Sequence, residues 1–71
     1  MTKLDLMKLK HYRAKIGEMT SQEALEIALL SELTCKDIGP FDPAFTMFKQ
    51  RELDFTAYAE LLEKEESEHA T

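Results

Sequence analysis

The sequence predicts an all-α fold, a small bundle of three to four short helices completed by self-association. Composition is the first observation behind this. Leu, Glu, Lys, Ala and Met dominate, Val, Asn and Trp are absent, and Ile occurs only at positions 16, 27 and 38. The dominant residues lose little side-chain freedom in a helix. Periodicity is the second: apolar residues recur at three and four, and no run alternates with the period of two that a half-buried strand needs. Size is the third. A chain of 71 residues is expected to form a single small domain, and a core that small rarely supplies more than about 3–5 kcal/mol. Cys35 stands alone and forms no internal disulfide, so packing or a partner has to supply the remainder.

The first helix is expected over residues 3–16. Leu6, Leu9, Tyr12 and Ile16 form one apolar stripe, and the flanking lysines can lay their methylene stems beside it. Gly17 follows where a helix-terminating glycine belongs.

A second helix is expected over residues 21–34. Thr20-Ser21-Gln22-Glu23 matches a capping box, in which the Thr hydroxyl and the Glu carboxylate each satisfy a free backbone N–H. Ala24, Leu25, Ile27, Ala28, Leu29, Leu30 and Leu33 cover most of its circumference. A helix apolar nearly all round is central in a fold or buried in an oligomer. So short a chain has few elements to surround it, which points to self-association.

Gly39-Pro40 marks a turn, and Asp42-Pro43 restarts a helix with Asp as N-cap and Pro in the first helical position. Two helices are expected beyond it, over 43–51 and 55–66, with a bend near Arg51–Asp54 and Asp54 capping the second. The alternative is one continuous helix, which would place Phe48, Phe55 and Leu62 at intervals of seven but turn Leu53 away. Residues 67–71 read as a polar tail.

Net charge is −5, unevenly spread: residues 1–16 carry +4 and residues 17–71 carry −9. The favoured expectation is that the basic first helix lies against the acidic remainder of its own chain. The other is that one of these surfaces meets a charged partner.

Several chemistries are excluded or left without support. Cys35 with His11 or His69 has no spacing that demands a nucleophile–base pair, and a free Cys after an apolar helix is most often a small buried hydrophobe. Glu66 and His69 have the spacing of ligands on one helical face, but they sit in the polar tail without an apolar wall. Aligning Leu53-Asp54-Phe55 with the end of a calcium-binding loop leaves Arg51 at the required glycine and Ala57 at the bidentate glutamate. With two glycines there is no phosphate cradle. No enzyme activity, metal or cofactor is therefore expected.

Membrane and secretion signals are absent too. The longest apolar segment is residues 27–30, far short of the roughly 18 needed to span a bilayer, and charges through the first fifteen residues break any signal-like apolar region. A lone cysteine fits a reducing compartment, so the cytoplasm is the expected location.

The function expected is that of a non-enzymatic protein–protein interaction module: a small regulator, inhibitor or assembly factor. A homo-oligomer, most simply a dimer, is expected through Leu25, Leu29, Leu30, Phe45, Phe48, Phe55 and Tyr58, together with a protein partner that the sequence does not identify. The aromatic group Phe41, Phe45, Phe48, Phe55 and Tyr58 is dense for so small a core, and aromatic anchors dominate interface energetics. Lys8, Lys10 and Arg13 are the candidate charged contacts. The alternative is a nucleic-acid-directed regulator, acting through the basic first helix or as an acidic mimic of a phosphate backbone. A pI near 4.9 argues against general nucleic-acid binding.

Overall fold

A computed structural model describes residues 1–69. It contains three helices and, among the described residues, no strand: α1 (Lys3–Ile16), α2 (Ser21–Ile38) and α3 (Phe45–His69). The molecule measures 44 × 19 × 17 Å, and its length is set by α3, whose 25 residues span about 37 Å. Both other helices run antiparallel to α3. α2 begins where the Ser21 hydroxyl donates to Glu66 and ends where the Cys35 thiol faces the Phe45 carbonyl. α1 begins near Lys64, which pairs with Asp5 at 3.7 Å, and ends near Asp54, which pairs with Lys15 at 3.3 Å. α1 and α2 each pack on α3 and not along one another.

The first two helices start as their sequences dictate. The capping box at Thr20 forms, with the Thr20 hydroxyl accepting from the Glu23 N–H at 3.2 Å and the Glu23 carboxylate accepting from the Thr20 N–H. A second box, Thr2 with Asp5, caps α1. Its Thr-x-x-Asp pattern was available in the sequence but is weaker than the usual Glu or Gln version. Gly17 and Gly39 end α1 and α2 at φ +109° and +80°, backbone that side-chain-bearing residues adopt only with strain. The Gly17 N–H donates to the Arg13 carbonyl and the Gly39 N–H to that of Cys35.

Four expectations need correction. α2 continues four residues past position 34, to Ile38, because nothing stops it until Gly39-Pro40. Residues 45–69 form one helix rather than two. No Gly or Pro interrupts this stretch, and Asp54 does not cap: its carboxylate accepts from Gln50 Nε2 within the helix and from Lys15 on α1. Leu53 does point away and stays exposed, a cost that helix continuity outweighs. The expected polar tail is helical through His69, and its last two residues lie outside the described ones. Finally, Leu6 is exposed and leaves the stripe that buries Leu9. Asp42 keeps a capping role in modified form: its carboxylate accepts from the Ala44 N–H at 2.8 Å, one turn ahead of a helix that begins at Phe45.

The core lies where α1 and the first turns of α2 meet the C-terminal half of α3. Leu9, Ala24, Tyr58, Ala59, Leu61 and Leu62 form one buried cluster, with Met1, Tyr12, Ile16, Met19 and Phe55 packed around it. Tyr58 is its centre, 0 % exposed. Its ring stacks on Tyr12 at 5.7 Å, and its hydroxyl donates to the Gly17 carbonyl at 2.8 Å. One side chain thus ties α3 to the end of α1. The membrane expectation agrees in one respect: no helix of the described residues is long and apolar enough to cross a bilayer.

Candidate interaction surface

The surface follows from which side of α2 faces inward. Ala24, Ala28, Ser31 and Cys35 are buried against α3. At steps of four, three and four they form one face of the helix, and being small they let the two helix backbones approach closely. Ser31 costs little there because its hydroxyl donates to the Ile27 carbonyl at 2.9 Å. The larger residues are consequently outside. Leu25, Leu29, Leu30 and Leu33 are all exposed, Leu30 by 63 % and Leu33 by 60 %. They share the face opposite the small residues.

Around its edge this apolar face continues into a groove between α2 and α3 of about 440 Å³, lined by Ile27, Leu30, Thr34, Phe48, Arg51 and Phe55. α1 covers the far end of α3 and leaves this end open on one side. The Arg51 guanidinium lies 5.8 Å above the Phe48 ring, close enough for a cation–π attraction. Of the residues expected to associate, Leu25, Leu29 and Leu30 are therefore available, and Phe45, Phe48 and Phe55 are half-buried. Tyr58 is not available. It is wholly inside the chain's own core, because its ring lies on the side of α3 that α1 covers. Phe41, in the turn before α3, packs against nothing and is 99 % exposed.

The charges divide by helix. On α2, Glu23, Glu26, Glu32 and Asp37 surround the leucines, and the one cation, Lys36, is paired with Glu32 at 3.2 Å. On α1, Arg13 forms a forked pair with Glu65, and Lys15 reaches Asp54. These contacts place the basic helix on the acidic remainder of its own chain. Arg13 is thereby spent within the molecule and is not a free contact. Lys3, Lys8 and Lys10 make no ion pair among the described residues. They stand beside exposed Leu4, Leu6 and Met7, three side chains that the sequence reading did not assign to a surface.

The Arg13 fork holds the Glu65 carboxyl below its ordinary value of 4.5, against the opposing effect of partial burial. Burial raises the Tyr58 phenol, with Arg13 acting the other way. Glu65 titrates lower in the folded chain than in the unfolded one, so its contribution to stability is full above 4.5 and is lost as pH falls through the folded value. Glu65→Gln should therefore lower Tm at neutral pH, and the gap from wild type should narrow as pH falls below 4.5. Thermal melts across that range, read by circular dichroism, check it.

Among the described residues, the side chains weighed for catalysis stay apart. Cys35 is buried beside Phe45, whereas His69 lies at the opposite end of α3, about 36 Å away along the helix. His11 sits edge-on to Tyr12, near Ala57 and Glu60. Among the described residues no group of three metal-ligating side chains comes together. Nor do α1 and α2 pack on each other as a helix-turn-helix requires. Compared with known protein families, characterised proteins and solved structures, the chain matches none.

Proposed function

We propose that this chain is a non-enzymatic helical interaction module, a bundle completed by self-association that acts on another protein as a small regulator, inhibitor or assembly factor in the cytoplasm. The observation that carries the reading is the leucine face of α2: four large side chains at the solvent, on the helix whose small residues hold the fold. Scattered exposed leucines need no explanation, but a contiguous set of them marks an interaction site.

Magnitudes show how far this face goes alone. Burying the exposed halves of four leucines supplies roughly 3–6 kcal/mol, while association costs about 4–15 kcal/mol in lost freedom. The leucines make a centre that neighbouring surface has to extend.

The test is the solution mass of the wild-type chain beside Leu29→Glu with Leu33→Glu. Both positions are exposed, so the double variant should keep its helical circular dichroism while the wild-type dimer becomes a monomer. A wild-type chain that sediments as a monomer up to about 1 mM, weaker than roughly −4 kcal/mol of association, overturns self-association.

A further inference from the structure

We infer that the leucine face of α2 receives α1 of a second copy, and that two-fold symmetry makes the contact reciprocal, so each dimer contains two α1–α2 pairings between chains. The inference rests on the interaction reading above and names its partner.

Two faces are left uncovered by the same fold. One is acidic: Leu25, Leu29, Leu30 and Leu33 with Glu26, Glu32 and Asp37. The other is basic: Leu4, Leu6 and Met7 with Lys3, Lys8 and Lys10. Within one chain they do not meet, because each helix uses its other side to hold α3. Pairing α2 with α2 of a second copy would oppose two acidic rims around the same leucines. Like charges facing across an interface are what specific interfaces avoid. Pairing α1 with α2 opposes three lysines with three carboxylates and covers apolar residues on both sides. Among the described residues Lys3, Lys8 and Lys10 make no ion pair, and Glu32 alone would have to share its carboxylate, with Lys36.

The accessible surface, 5175 Å², exceeds the about 4500 Å² of an ordinary folded monomer of this mass, as the elongated shape requires, and leaves room for the roughly 800 Å² that each partner contributes to an ordinary interface. Reciprocity closes the assembly at two copies, whereas an unreciprocated contact of this kind would propagate into a ring or filament.

Charge exchange tests it. Lys3→Glu, Lys8→Glu and Lys10→Glu in one variant, and Glu26→Lys, Glu32→Lys and Asp37→Lys in another, should each weaken the homodimer by about a hundredfold. Mixed together, the two variants should form a heterodimer, since each basic face then meets an acidic one. A chain carrying all six changes should dimerise with itself and not with wild type, which also shows that the substitutions leave the fold intact. Increasing salt should weaken the wild-type dimer. A dimer abolished by Leu29→Glu but indifferent to the lysine reversals overturns this inference and leaves the interaction reading standing. Loss of binding to anionic vesicles, with the dimer intact, would assign α1 to a lipid surface and also overturn it. A wild-type monomer at all concentrations overturns both.

Discussion

Tyr58→Ala should abolish cooperative unfolding. The wild-type ring is wholly buried at the point where all three helices meet. It carries the stack on Tyr12 and the hydrogen bond to the Gly17 carbonyl. Truncating a buried aromatic costs about 3–5 kcal/mol in lost burial and residual cavity, as much as a core of this size is expected to supply in total. A thermal melt should then show a shallow, featureless loss of helicity in place of a transition. Tyr58→Phe separates the two contributions. It keeps the ring and removes one hydrogen bond worth about 1 kcal/mol, so the melt should stay cooperative with Tm lower by roughly 4–8 °C. A cooperative Tyr58→Ala melt near the wild-type temperature would mean that the core does not depend on this junction.

Tyr58 also shows where reading the sequence succeeds and where it stops. Local signals were legible: the capping box at Thr20–Glu23 and the terminating Gly17 each depend on contacts within a few residues, and the end of α1 and the start of α2 follow from them. Gly39 reads as part of a turn, and that reading misses its role in ending α2 at Ile38. The continuity of α3 was not legible, because Asp54 is an equally good N-cap until Lys15 on another helix competes for its carboxylate. The inward face of α2 was harder still. Hydrophobicity ranks Leu25, Leu29, Leu30 and Leu33 above Ala24, Ala28, Ser31 and Cys35, and so suggests the leucines as core. The second set nevertheless repeats at helical spacing as a stripe of small residues, the one pattern in the sequence that marks a close helix contact. The aromatic group illustrates the same limit. Density in sequence suggested a shared surface, but helix geometry sends Tyr58 inward, leaves Phe48 and Phe55 at the groove and strands Phe41 in a turn.

Ala28→Leu should be far more damaging than Leu29→Ala, the reverse of what residue hydrophobicity suggests. Ala28 is 3 % exposed and faces α3. Three additional heavy atoms have nowhere to go unless the helices separate, and overpacking a closely fitted contact costs about 1–3 kcal/mol. That is a large share of what this chain has, and separating α2 from α3 would also disturb Ala24 and Ser31 on the same face. Leu29, one residue on, has half its surface in water. Its truncation should change the stability of the isolated chain by no more than about 0.5 kcal/mol, while weakening the proposed dimer. Denaturant melts at concentrations below dimerisation measure the first effect, and sedimentation at higher concentration measures the second. Were Ala28→Leu tolerated and Leu29→Ala costly in the monomer, α2 would be seated on α3 by its leucines, and the exposed face offered to a partner would be the small one. The pair of substitutions therefore decides which side of α2 holds the fold and which side is left to bind.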